Sequence, residues 1–254
     1  MKYSATSPVK VIVLGAGGTG GYVIPHLYRL AFSRKGYMRI IVCDGDIVEE
    51  KNLIRQNFVE QDIGRNKAQV LAERYSAAFG IECQYKPYFI ETKEELTELV
   101  TPDFKKSWHQ NIPETQRIIL LGCVDNNKSR ALCHEVFNKC EDIIYIDAGN
   151  SEYTGQVCCG VRQKGRTLYR PVCSRHPELL KEEDKFPSEL SCAERTVSAP
   201  QSVTANLFAS TAMTSFLYDL LICGDLKTRY TAFSSKLISM RAETVKPRKK
   251  RKKG

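Results

Sequence analysis

Lys10-Val11-Ile12-Val13-Leu14-Gly15-Ala16-Gly17-Gly18-Thr19-Gly20-Gly21 joins an apolar, β-branched run directly to a cluster of glycines. The first five residues suit a buried strand. Residues 22–32 then place apolar side chains at helical spacing. Strand, glycine loop and helix in this order are the context that turns Gly15, Gly17 and Gly20, a Gly-x-Gly-x-x-Gly match, into a nucleotide-binding reading. Glycine lets the chain turn tightly and lets phosphate oxygens reach main-chain N–H groups, and a helix N-terminus adds a favourable dipole. Residues 39–43 form a second apolar strand ending at Asp44, which completes a βαβ unit of a parallel sheet. Asp44, 24 positions after Gly20, is placed to accept hydrogen bonds from ribose hydroxyls. These features alone describe any Rossmann-like protein, an NAD-dependent oxidoreductase included.

Outward from this unit the pattern predicts a helix over 64–79, a strand over 81–90, a helix over 92–100, a polar connection through Trp108, a strand over 117–124 and a helix over 126–139. After a strand over 143–147 the alternation changes, and 155–163 and 166–169 read as antiparallel strands. Residues 171–200 are polar and long for a bare connection, a length that points to function. A helix over 201–223 and a hairpin over 228–244 follow. The expected fold class is α/β: a Rossmann-like ATP-binding fold with a mixed, mainly parallel sheet and an antiparallel C-terminal part. We expect one domain over 1–245. Its nucleotide-binding half is 8–150, and its second half, 151–245, holds the antiparallel strands, the crossover loop 171–200 and the C-terminal helix.

A chain of 254 residues, 42% hydrophobic, is long enough for one large core. Its apolar runs, such as 11–14 and 118–121, fall far short of the roughly 20 residues that cross a bilayer, and no secretory pattern opens the chain. No membrane span and a cytoplasmic location are therefore expected. Ten cysteines in a chain of this size read as reduced thiols. Of the net charge of +9, seven positive charges lie in Lys246 and the six basic residues 248–253, so the body is nearly neutral. Nucleic-acid contact is thus expected only through the tail 246–254, which reads as disordered because like charges repel and nothing apolar can be buried.

The segment Asp44-Gly45-Asp46-Ile47-Val48-Glu49-Glu50-Lys51-Asn52-Leu53-Ile54-Arg55-Gln56 resembles the Asp-x-Asp-x-Val…Asn-Leu-x-Arg-Gln signature of the ThiF/MoeB/HesA family, which includes the ubiquitin-activating enzymes. Asp62-Ile63-Gly64-Arg65-Asn66-Lys67 is similar to that family's Asp-Ile-Gly-x-x-Lys, and Asp125-Asn126-Asn127-Lys128-Ser129-Arg130 to its Asp-Asn-x-x-x-Arg. Asp147-Ala148-Gly149 and Gly155-Gln156-Val157 resemble the family's next strand pair, so the likeness covers roughly 8–223. The short C-terminal part resembles compact prokaryotic forms such as the ThiF-type protein of PRTRC gene cassettes. Bacterial members resembling MoeB begin with a helix bearing an Arg that reaches the neighbouring subunit's nucleotide site; here only Lys2 and Lys10 precede the glycine loop.

The resemblance implies ATP-dependent adenylation of a carboxylate, usually the C-terminal glycine of a small ubiquitin-like protein ending in Gly-Gly, by a homodimer. It also implies a nucleotide site built from Gly15, Gly17, Gly18, Gly20, Asp44, Asp46, Asn52, Arg55, Gln56, Lys67, Asp125, Asn126 and Arg130, with Mg²⁺ held by Asp125. The residue types suit the chemistry. Arg55 offers a planar fork for phosphate and Lys67 a compact cation, both stabilising charge on the transferring centre and leaving group. The substrate carboxylate is already ionised at neutral pH, so no base is needed. A hard cation takes one or two carboxylates plus phosphate oxygens and water, which suits Asp125. Taken one at a time, Arg55, Lys67 and Arg130 also read as solvated surface charges and Asp125 as a helix cap. Adenylation of a peptide or small-molecule carboxylate, and a non-catalytic nucleotide-binding scaffold, are the alternative readings.

Family members with structural zinc use two Cys-x-x-Cys pairs, which this chain lacks. Cys158 and Cys159 are adjacent on a strand and point to opposite faces, so no zinc is expected, although Cys158, Cys159, Cys173 and Cys192 form a conceivable four-thiol set. Cys192, in the crossover loop beside Arg195, is the candidate for a catalytic thioester, and Cys173 beside Arg175 and His176 is its rival. Both also read as incidental loop thiols. Cys43, Cys123, Cys133, Cys140 and Cys223 sit in apolar patterns and read as small buried hydrophobes.

Overall fold

The computed structural model describes residues 7–34, 37–103, 116–181, 184–190 and 201–245. Cys192, Arg195, Trp108 and the tail 246–254 lie outside the described residues.

The apolar runs become strands because they are buried on both sides. In β1 (Val9–Leu14), Val9, Val11 and Val13 enter one core layer while Ile12 and Leu14 enter the other. The same alternation holds in β2 (Met38–Cys43) and β4 (Arg117–Gly122). One layer packs against α1 (Gly18–Ser33), α2 (Lys67–Phe79) and α6 (Val203–Tyr218), and the other against α3 (Lys93–Val100) and α4 (Asn127–Lys139). The helix starts are capped as their sequences dictate: Thr92 accepts from the Glu95 N–H and Glu95 reaches back to it, while Asn66 and Asn126 accept from Gln69 and Ser129.

With β3 (Tyr85–Lys86) at one edge, the strand order is β3-β2-β1-β4-β5-β6-β8-β9, with β7 (Arg166–Tyr169) also paired to β6. Strands β1 to β5 run parallel; β6 (Thr154–Gln163), β8 (Thr228–Ser234) and β9 (Ser239–Thr244) add antiparallel pairs beyond β5 (Ile143–Asn150). The α/β class and mixed sheet expected from the sequence are therefore present. Successive strands are added on one side of β1 as far as β3 and on the other from β4 onward, so the strand order reverses between β1 and β4, where Leu14 pairs with both Cys43 and Gly122. Crevices at the carboxyl ends of strands at such a reversal are where open α/β sheets bind ligands.

Three expectations need correction. The strand expected over 81–90 contracts to β3 (Tyr85–Lys86), because Pro87 follows at once and has no N–H for a ladder. The crossover 171–200 is not bare: it holds α5 (Val172–Arg175) and short 3₁₀ turns at Pro177–Leu180 and Pro187–Glu189. The last long helix ends at Tyr218 and passes into a π turn, Asp219–Cys223, which carries Leu220 and Leu221 inward and leaves Cys223 exposed rather than buried. Within the 21 residues Val203–Cys223 an 18-residue stretch reaches a mean hydropathy of 1.2, enough by length and composition for a membrane span, but half of that stretch is buried inside the protein.

Candidate active site

The loop after β1 is shaped by backbone contacts that leave no room for side chains. Gly15 has φ +93°, and a Cβ there would lie 2.5 Å from the Cys123 carbonyl oxygen; one on Gly20 would overlap the Gly15 carbonyl oxygen. At Gly18 the space is taken by the Asn206 side chain, whose Nδ2 would lie 2.5 Å from an added Cβ. Gly17 differs, since its nearest neighbour would be Gln56 Nε2 at 3.6 Å, ordinary contact. Gly17 caps α1 and brings no side-chain acceptor to the first-turn amides of this helix N-terminus.

Asp44 secures this loop from β2. Its Oδ2 accepts from the Ala16 N–H at 2.6 Å and its Oδ1 from the Asp46 N–H at 2.9 Å. Burial pushes its carboxyl up to about 6, against the pull of Lys67 and with the push of Asp46. Asp46 in turn receives the Lys67 ammonium at 2.9 Å. The Lys67 side chain is 7% exposed and that of Asp46 46%, so a nearly desolvated cation meets its partner at the mouth of the site. Asn66, which the sequence reading passed over, ties the two segments together: Nδ2 donates to the Asp44 and Asp46 carbonyls at 2.8 and 3.1 Å.

The turn Glu50–Asn52 and the residues after it bring Arg55 and Gln56 to the opposite side. Gln56 is buried against Gly17, and its Oε1 has no hydrogen-bond partner among the described residues. Arg55 is half-buried, and its Nη1 donates to Gln201 Oε1 at 3.1 Å. Asn52 is buried, with Oδ1 accepting from the Glu49 N–H at 2.9 Å.

The third signature folds onto the carboxyl end of β4. Asp125 is exposed, three residues past Gly122. Asn126 caps α4. Arg130 is buried, with Nε on Asp147 at 3.2 Å, Nη1 on Asn127 Oδ1 at 3.1 Å and Nη2 on the Val124 carbonyl at 2.6 Å. Asp147 also accepts from the Tyr145 hydroxyl at 2.8 Å, and its carboxyl is raised by burial against the pull of Arg130. Asp44 and Gln56 thus contact the glycine loop, Asp46 and Lys67 join it through Asp44, and the Arg55 guanidinium is held by Gln201. The side-chain groups just described on Asn52, Asn126 and Arg130 are engaged in hydrogen bonds within the protein.

Cys158 enters one core layer and Cys159 the other, as adjacent strand residues must. Cys173 is buried, its Sγ lies 3.7 Å from the Arg130 carbonyl oxygen, and burial pushes its thiol up to about 12. That setting opposes thiolate formation. Cys43 and Cys133 are buried as small hydrophobes, while Cys123 and Cys140 are half-buried.

Both the sequence and the fold have relatives among known proteins. A 71-residue stretch is 39% identical to the NEDD8-activating enzyme E1 catalytic subunit of Saccharomyces cerevisiae, covering 28% of this chain and 22% of that one. The fold is similar to that of E. coli MccB with AMPCPP and MccA, at a TM-score of 0.64 and 18% identity, over 94% of this chain and 64% of that one. It is also similar to PaaA, at 0.63 and 18%, over 94% and 65%. This chain thus spans less than two thirds of each of these relatives. The model of the ThiF family matches residues 3–254, and the chain belongs to that family.

Proposed function

We propose that this protein is a cytoplasmic, homodimeric adenylyltransferase that joins the C-terminal carboxylate of a small ubiquitin-like protein to AMP. The observation that carries the reading is Lys67. A lysine this deeply buried loses its hydration, and a single half-exposed carboxylate is poor compensation unless an anionic ligand completes its surroundings. Support also comes from the helix N-terminus at Gly17, from Gln56 Oε1 as an acceptor for a ligand hydroxyl, and from the half-buried Arg55. That is a setting for a triphosphate.

In the step itself a carboxylate oxygen forms a bond to the α-phosphorus, and the bond from that phosphorus to the bridging oxygen breaks. Pyrophosphate leaves with the electron pair. Arg55 and Lys67 lower the energy of the charge gathering on the transferring and leaving oxygens. The exposed Asp125 carboxylate would hold a Mg²⁺ ion, which when bound would supply further charge neutralisation. Attack of the Cys192 thiolate on the acyl-adenylate carbonyl, forming a thioester as the bond to the phosphate oxygen breaks and AMP leaves, extends the reading. The burial of its rival Cys173 favours Cys192 for that role.

The likeness to the NEDD8-activating subunit supports a small-protein substrate, and the MccB structure with MccA supports the second reading, a peptide carboxylate. For the dimer, support comes from the outward face of α6 and its π turn, where Leu207, Tyr218 and Ile222 are exposed. Exchange of labelled pyrophosphate into ATP, measured with a Gly-Gly-ending protein and with short peptides, separates these substrates. Arg55→Ala and Lys67→Ala should each lower exchange by about 100-fold or more, whereas Cys192→Ala should leave exchange intact and abolish only thioester formation. ATP binding without exchange for any carboxylate would reduce the protein to a scaffold, and a monomer in sedimentation would remove the dimer.

A further inference from the structure

Asn206 is fully buried in the first turns of α6, a helix otherwise filled with small and apolar residues at its inner face. A buried amide needs partners on both its ends. Its Oδ1 accepts from Asn150 Nδ2 at 2.8 Å, and Asn150 Oδ1 faces the Thr19 hydroxyl at 3.4 Å. Its Nδ2 makes a long 3.4 Å contact to the Arg55 carbonyl oxygen. The same amide fills the space that a side chain at position 18 would take. One side chain therefore touches the glycine loop, the end of β5 and the backbone of the cation 151 positions earlier. Four residues ahead of α6's Asn206, Ser202 caps the helix, and Gln201 before it holds the Arg55 guanidinium. Arg55 is thus gripped at both its carbonyl and its side chain by the start of α6.

We infer that Asn206 is a positioning residue: it sets Arg55 against the glycine loop so that the guanidinium meets phosphate, without itself touching the nucleotide. This rests on the nucleotide-site reading above but not on adenylation. Because Asn206 acts through Arg55, its loss should matter only while Arg55 is present. Leucine is close to asparagine in shape and keeps the space under Gly18 filled while removing both hydrogen-bonding ends.

The test is a double-mutant cycle read by calorimetric titration of ATP and, separately, adenosine, which does not reach the phosphate cradle. Arg55→Ala and Asn206→Leu should each weaken ATP binding by about tenfold, with adenosine affinity moved less than about twofold and the double variant no weaker than Arg55→Ala alone. Asn150→Ala, which breaks the same chain from β5, should repeat the ATP-selective loss and covers the case in which Asn206→Leu fails to fold. Additive losses, equal losses for adenosine, or ATP affinity unchanged in Asn206→Leu would overturn the inference. Wild-type protein that binds ATP with this pattern yet exchanges no pyrophosphate would defeat the proposed reaction alone.

Discussion

Gly17 and Gly20 look interchangeable in the sequence, but their surroundings separate them. A methyl at position 20 meets a backbone carbonyl that cannot move without reshaping the loop, whereas one at position 17 meets only the end of a glutamine. Gly20→Ala should therefore lower the thermal midpoint and abolish ATP binding together. Gly17→Ala should keep the midpoint and weaken ATP binding, since the methyl stands where phosphate approaches the amides. Differential scanning fluorimetry with and without ATP checks both, and a destabilised Gly17→Ala protein would contradict the assignment. Asp44 gives a second residue-level expectation. Its carboxyl is raised from the ordinary 3.8 to about 6, so the folded protein takes up this proton before the unfolded chain does. Between those two pH values stability from this group falls as pH rises. Lys67 and Asp46 also face it, but they stay in place in Asp44→Asn, so the difference in urea midpoint between wild type and variant should shrink from pH 4 to 6 and stay level above it. A level difference throughout would show that Asp44 is not perturbed.

Among the elements, α4 shows how one residue type serves two purposes. Asn126 was expected in the nucleotide site, and its Oδ1 is occupied by the Ser129 N–H at 2.8 Å. If capping is its whole task, Asn126→Ala should cost about 1 kcal/mol of stability, Asn126→Ser should restore it, and both should bind ATP as the parent does. Loss of ATP affinity in the serine variant would return Asn126 to the ligand. The same ambiguity surrounds Arg130. An arginine that binds phosphate and one that ties a loop to a strand are identical in sequence, and only the four bonds to Asp147, Asn127, Val124 and Ala148 tell them apart. Strand β3 failed for a simpler reason, a proline placed where the ladder would have continued. The exposed Cys223 reflects a π turn, whose extra residue shifts a helical face in a way that apolar spacing does not announce.

At the scale of the whole molecule, what could be read in the sequence was what neighbours in sequence decide. The strand-loop-helix start, the helix after Thr92, and the switch to antiparallel pairing after Asn150 all arise within windows of a few residues. Asn206 was invisible because its meaning depends on Gly18, 188 positions earlier, and on a carbonyl at Arg55. The order of the chain thus conceals a dependence between its ends. A fragment stopping at Asn150 would carry the glycine loop and the three signatures after it, yet it would have a hole beside Gly18 and an unsupported Arg55. Recombination between relatives at that boundary would succeed only when the incoming helix brings a plug matched to the resident loop.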